Sequence, residues 1–326
     1  MSTGLDAQIG FAEETTYGTP VTVDRFYEFL SEEIKTEKGR VESQGLRSGA
    51  RVQRSSRWVA GPQQAGGEVE FELANKGFGR LLKHMFGNVA TSTPGGGTLT
   101  RDHTFTPASL DTLSLTMQIG RPPVTAGAAA QAFTYHGSKV AEWELECGVG
   151  AIPKLTLAFL SEEEDTATAL AAASYPSGLA TFAPESVTLS VAGSAVTDVE
   201  AITIRGNNTL KDDRFNIGST KRRNPLEVGL REYTGEFSGE FVDLTAYNRF
   251  INGTEVALVL LMEGATIEGS LKYHLQFTCN VRFDGETPTV GGPELVEQPL
   301  SFKCLNTGSG DGTAITAVYR TTDTTP

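Results

Sequence analysis

One unit of sequence occurs twice, and it restricts the fold more than any other feature. Starting at Gly66 the chain reads "GGEVEFELANKGFGRLLKHMFG", and from Gly235 it reads "GEFSGEFVDLTAYNRFING". In both, glutamates alternate with apolar residues, and an apolar-spaced stretch follows that stops at a glycine. Alternation puts successive side chains on opposite faces of a strand. In the first copy Val69, Phe71 and Leu73 share one face, and Glu68, Glu70 and Glu72 share the other. In the second copy Phe237 and Phe241 oppose Glu236 and Glu240. Phe78, Leu81, Leu82, Met85 and Phe86 then recur at three- and four-residue intervals, which predicts an amphipathic helix of about three turns. Gly87 is its expected stop, and Lys83 and His84 suit the negative end of its dipole.

The rest of the chain extends the repeat. "PVTVDRFYEFLSEEI", from Pro20, predicts a strand, and "VTDVEAITIRGNNTLK" matches it in the second half. Each is followed by a basic, aperiodic stretch. The first, "KTEKGRVESQGLRSGARVQRSSRWVAGPQQAGG", reads as an extended loop or a protruding hairpin. Further strands are expected at "TLSLTMQIG", "KVAEWELECGVG" and "IPKLTLAFLSEEE", with "VALVLLMEG" and "LSFKCLN" as loose counterparts. The spacing between matched residues narrows from Ile34 and Leu210, through Gly45 and Gly218, to Glu68 and Glu236, as small deletions produce. Duplication is therefore expected. The stretch "EEEDTATALAAASYPSGLATFAPES" reads as the boundary. It gives a first module over 1–165 with an N-terminal arm and a long basic loop, a linker over 166–185, and a second module with a C-terminal tail over 186–326.

Composition narrows the function. The chain has 326 residues, 36 of them glycine, and a net charge of −13. A protein that grips nucleic acid by its phosphates is normally basic, so such a grip is disfavoured. Cys147, Cys279 and Cys304 lack metal or redox spacing and read as buried, reduced thiols. The N-terminus lacks a signal-peptide pattern, and no stretch is apolar enough to span a membrane, so no membrane insertion is expected.

Catalytic patterns are scarce. There is no phosphate loop, nucleophile elbow, dinucleotide fingerprint or zinc helix. His84, His103, His136 and His274 are scattered and read as packing or surface residues. "EWELE" puts Glu142, Glu144 and Glu146 on one strand face, an arrangement some sandwich-fold glycosidases use. A solvated strand face is the preferred reading, because the same alternation recurs at Glu68 to Glu72. "GSGDGT" has too few acidic ligands for calcium and reads as a turn before the strand "AITAVYR". No enzyme activity, cofactor or metal is expected. The basic loop stands out more: Arg47, Arg51, Arg54 and Arg57 precede Trp58, and Lys221, Arg222 and Arg223 recur at the matching place. Arg and Trp are enriched in interfaces, so both segments are expected to meet neighbouring copies.

These phrases carry a family resemblance. "AQIGFAEETTYGTPVTVDRFYEF", "GLRSGARVQRSSRWVAG", "GEVEFELANKGFGRLLKHMFG" and "NNTLKDDRFNIGSTKRRNPLEVGLREYTGEFSGEFVDL" resemble the tail tube proteins of long, non-contractile bacteriophage tails. The likeness covers nearly the whole chain, apart from the linker and the C-terminal tail. It implies a mainly β fold, two tandem antiparallel sandwich or barrel-like modules, each flanked by one short helix. It implies rings whose sheets join into a continuous inner barrel and stack helically into a tube in the virion tail, from subunits made in the host cytoplasm. Tape measure protein fills such a tube, tail terminator and distal tail proteins cap it, and DNA passes through without specific binding. Glu68, Glu70, Glu72, Glu236 and Glu240 would then face the lumen, and the basic loops would bridge subunits or rings. With two modules per chain, three chains could close a pseudo-sixfold ring. Six chains with the second half outside is the alternative. A head decoration or baseplate subunit, or a glycosidase, are the rival readings.

Overall fold

In the computed structural model, which describes residues 3–125, 127–285, 287–293 and 295–326, the alternating segments form strands as their pattern requires. The first half holds β1 (Gln8–Glu13), β2 (Arg25–Tyr27), β3 (Ser31–Glu32), β4 (Lys35–Glu42), β5 (Trp58–Glu72), α1 (Gly79–Phe86), β6 (Gly87–Ser92), β7 (Arg101–Pro107), β8 (Leu115–Arg121), β9 (Gln131–Gly148), β10 (Lys154–Ser161) and β11 (Glu163–Asp165). The second holds β12 (Val187–Val191), β13 (Ser194–Val196), β14 (Val199–Asn207), β15 (Glu232–Glu240), α2 (Leu244–Asn252), β16 (Val256–Glu268), β17 (Leu271–Phe283), β18 (Glu297–Cys304) and β19 (Ile315–Thr321). All named pairings are antiparallel. The fold is mainly β with one short helix per half, as the sequence implied.

The two halves pair their strands in one order. In the first it runs β4–β5–β10–β9–β8–β1, and in the second β14–β15–β18–β17–β16–β12. β11 adds to β9 as β19 adds to β17. The hairpin β6–β7 has no counterpart among the described residues of the second half. The halves are joined by two strand pairs, β9 with β14 and β7 with β19. The sheet therefore crosses from one half to the other without a break, and one contiguous buried cluster runs beneath it.

Local departures have physical causes. The expected strand over 20–34 is reduced to β2 and β3. The basic stretch is a hairpin, β4 with β5, and its turn spans 43–57. Its base bends at Gly66 and Gly67, with φ of 151° and 145°. A Cβ there would lie 2.2 Å from the carbonyl oxygens of Phe159 and Glu33, so only glycine fits. α1 is two turns long, shorter than the periodicity predicts. It ends where expected: Gly87 takes a left-handed φ of 104° and its N–H bonds the Lys83 carbonyl. Residues 166–185 are irregular but pinned to the first half. Gln118 bonds the Ala169 carbonyl and the Ala171 N–H, Asn75 holds Ala180, and Phe182 is fully buried.

Candidate functional site

The alternation in β5, β9, β14 and β15 places one polar face across six neighbouring strands, β5–β10–β9–β14–β15–β18. Register fixes which side chains share it, because directly paired residues point the same way. One row reads Glu70, Thr156, Glu144, Arg205, Thr234, Lys303. The next reads Glu72, Lys154, Glu146, Thr203, Glu236, Ser301. Glu68, Glu142 and Glu232 lie one step to one side, and Glu240 pairs with Glu297 on the other. The face thus gathers ten carboxylates against Lys154, Arg205 and Lys303. The alternate residues point inward: Val69, Phe71, Trp143, Leu145, Leu155, Leu157, Ile204 and Phe302 are buried. Gly206 is required under Trp143, since a Cβ there would sit 2.2 Å from the indole ring.

The three cations are already engaged. Arg205 donates to Glu144 at 2.6 Å and to Glu236 at 2.8 Å, so one guanidinium ties a first-half strand to a second-half strand. Those two carboxylates hold its pKa above the usual arginine value. Lys154 pairs with Glu70 at 2.9 Å and Lys303 with Glu232 at 3.2 Å. Asn207 donates to Glu142 at 2.7 Å. All these pairs are partly solvated and contribute little to stability. What remains is a broad negative field over the sheet. Among the described residues no three His, Cys, Asp or Glu are arranged to hold a metal ion. Glu142 to Glu146, the glycosidase-like stretch, is one part of this face and not a separate site.

The basic hairpin projects from the opposite end of β5. Residues 40–60 are exposed apart from half-buried Arg54, and Arg40 lies over the Trp58 ring at 5.5 Å. Arg47, Arg51 and Arg57 are exposed in the single chain. The matching cluster behaves differently. Arg222 was expected at a subunit contact, but it is 3 % exposed and donates to the carbonyls of Ala65 (2.9 Å), Ser161 (3.1 Å) and Asp212 (2.8 Å) of its own chain. Burial pushes its pKa down. Arg222 is thus an internal anchor, and it drops out of the set available to neighbours. Lys221 is exposed and pairs with Glu163 at 2.6 Å, and Arg223 is exposed.

Sequence reasoning missed three contributors. Arg205 alternates with Ile202 and Ile204, so its face was readable, but its two partners come from strands far away in sequence. Glu142 to Glu146 carried the same alternation as Glu68 to Glu72 and needed only the register to join them. Asn208, inside the "NNT" stretch, is fully buried and donates to the carbonyls of Met85 (3.2 Å) and Val140 (3.0 Å), and no local pattern signals that.

The sheet thus carries one continuous polar face across the two halves of the chain. The family model for "Phage tail tube protein" matches residues 4–304, and the chain belongs to that family. No curated protein matches it. Membership makes it a structural tail component that assembles into a tube, not an enzyme. No helix is long and apolar enough to cross a membrane.

Proposed function

We propose that this chain forms the wall of a long, non-contractile phage tail tube, with the ten-carboxylate face lining the lumen. The single observation that carries the reading is the seam between β9 and β14. There the two halves join strand to strand and the acidic face continues across them. Copies can extend the same sheet around a ring, because the outer edges of its two borders, β3 and β4 beside β5 on one side and β18 at Glu297 to Leu300 on the other, have no further strand partner among the described residues. Unpaired borders are an aggregation hazard in a monomer and a means of assembly in a polymer.

Like charge then governs what passes. A duplex of phosphates inside a wall bearing Glu68, Glu70, Glu72, Glu236 and Glu240 is repelled from every side and kept from sticking. Screening over about 8 Å at physiological ionic strength limits this to close approach. Tape measure protein before ejection and DNA during it are the expected occupants, with terminator and distal tail proteins at the ends. The chain is best divided into modules 1–165 and 186–326 joined by 166–185. Because the two halves repeat one pairing order, three chains make a pseudo-sixfold ring.

A cryo-EM cross-section of assembled tubes tests this. Three chains per ring, with the five glutamates on the inner wall, is the expected result. Glutamates on the outer surface would remove the lumen role, and six chains per ring would remove the pseudo-sixfold ring.

A further inference from the structure

Both halves insert a segment of similar length at the same place in the sheet, but only one of the two is packed. Glu37 pairs with Gln64 four residues before Glu68, and Asn207 pairs with Glu232 four residues before Glu236. Between these pairs lie residues 38–63 in the first half and 208–231 in the second. The second insert lies across the first half, at the C-terminal end of α1 and the neighbouring strand ends. Asn208 bonds the Met85 carbonyl, Arg222 bonds the Ser161 carbonyl, Lys221 pairs with Glu163, and Arg231 bonds the Phe86 carbonyl at 2.7 Å. Apart from the Gln63 N–H, which donates to the Thr220 carbonyl at 2.8 Å, the first insert has no such bed among the described residues. It carries Lys38, Arg40, Arg47, Arg51, Arg54 and Arg57 against Glu42 alone, and it exposes Leu46 (102 %), Val52 (83 %) and Val59 (64 %). Apolar side chains on a projecting basic arm are expected where a partner covers them.

Register transfers the receiving site to the second half. Glu68 pairs with Ala158 and Glu236 with Ser301, so Ser161 corresponds to Cys304 and Glu163 to Asn306. Gly87 and Gly253 close the two helices, so Met85 corresponds to Ile251. This region is open. Ile251 is 57 % exposed, and Glu255, Asn306 and Asp311 are at the surface beside it. Asn280 ties Glu255 to the Leu305 carbonyl, and Asn306 bonds Asp311, so the patch is continuous. Its exposed acids, Glu255 and Asp311, complement the arm; the neighbouring Arg282 is itself paired with Asp284 at 3.0 Å.

We propose that residues 38–63 of one copy lie across the end of α2 in the next copy of the same ring, as 208–231 lie across the end of α1 within the chain. The partner is a second copy of this chain, and the arm runs around the ring, not along the tube. This rests on the ring reading above. Counting from the paired strands, Arg54 takes the place of Arg222, and Gln53 takes the place of Lys221, opposite Asn306.

The test is a Gln53→Cys/Asn306→Cys double variant, treated with a short bis-maleimide in assembled tubes. The natural cysteines are buried and do not compete. The expected product is a ladder on a denaturing gel that stops at three chains, absent from either single variant. A ladder that climbs without limit would mean the arms join successive rings and would overturn the proposal. Tubes that form without cross-linking would also overturn it. A ladder stopping at six supports lateral docking and overturns only the three-chain ring. If the unmodified chain forms no tubes, the ring reading falls and the proposal with it. A second variant, Arg51→Glu/Arg54→Glu/Arg57→Glu, should leave the isolated chain folded and raise the concentration needed for assembly at least tenfold. Adding Glu255→Arg/Asp311→Arg should restore assembly, and no restoration would count against the pairing.

Discussion

The two helices have the same position in the repeat and the same glycine stop, yet they are packed differently. Leu81, Leu82, Met85 and Phe86 of α1 are fully buried, whereas α2 buries no residue and leaves Leu244 and Ile251 each 57 % exposed. The cause lies outside the helices. α1 is covered partly by the second half of the chain: Tyr233 stacks on Phe86 at 6.3 Å, Phe277 approaches it at 6.3 Å, and Arg231 and Asn208 take its last carbonyls. α2 has no third half to cover it. A short helix gains most of its stability from such packing, so the same local unit is finished within the chain in one place and open in the other.

The largest expected effect breaks the finished side. Phe86→Ala removes a ring held among Trp143, Tyr233 and Phe277 and should cost about 3–5 kcal/mol in chemical denaturation, as large core truncations do. Ile251→Ala, at the matching helix, should change the isolated chain by less than about 0.5 kcal/mol and show its effect in assembly. Equal costs in the two variants would mean that α2 is as well packed as α1.

The inserts sharpen the same contrast. Arg222→Ala leaves the carbonyls of Ala65 and Ser161 without their donor inside the protein and should cost about 1–3 kcal/mol. Arg54→Ala should be neutral in the isolated chain. Hydrogen exchange gives the companion readout. Residues 43–57, the turn of the hairpin, should exchange fast in the isolated protein and slowly in the tube, while 208–231 are protected in both. Equal protection of 43–57 in the two states would remove the distinction.

Much of this was legible because it is local. Strand alternation gave the acidic face of β5 and the inward Val69 and Phe71. The apolar spacing and Gly87 gave α1 and its end. What local pattern cannot encode is which distant strand lies alongside. The seam of β9 with β14 follows from register between residues some sixty positions apart, so the union of Glu70, Glu144 and Glu236 into one face was hidden. Arg222 misled for a related reason. In sequence it sits in a basic cluster like that of Arg51 to Arg57, but the second insert has a first half to fold onto, and burial reassigns its guanidinium to backbone carbonyls. A charge cluster reports composition, and its role depends on what lies within reach.

A third contrast concerns pH. Glu268, in the β16–β17 hairpin of the second half, holds the segment before β7 of the first half. It accepts the Thr100 hydroxyl at 2.7 Å and the N–H groups of Thr98, Leu99 and Thr100 at 2.8–2.9 Å. The Thr100 hydroxyl is the largest cause that draws its pKa from 4.5 down to about 2. A depressed carboxylate stabilises the fold above its unfolded value and loses that contribution as pH falls through the folded one. The tie should therefore hold above about pH 4.5 and fade toward about pH 2. Protection of the amides at 98–100, taken against the intrinsic exchange rate at each pH, should fall across that window, and Glu268→Gln should remove the dependence. A flat profile in the natural protein would show that the tie is not formed.

The smallest effect separates the inner seam from the open border. Arg205, in β14, pairs with Thr234, and Lys35, in β4, pairs with Gly66 at the corresponding register. Arg205 bridges Glu144 across the seam and Glu236 beside it, whereas Lys35 reaches only Glu37 of its own strand at 3.0 Å. Both arginine contacts are well solvated, so Arg205→Gln should cost at most about 1 kcal/mol, and less at high salt. Lys35→Gln should leave the isolated chain unchanged. If β4 meets a neighbour as β14 meets β9, the ranking changes on assembly: Lys35 then faces carboxylates from the next copy, and its loss should raise the polymerisation threshold while the monomer's denaturation midpoint stays fixed. A threshold that does not move would mean that β4 is not the border through which the ring closes.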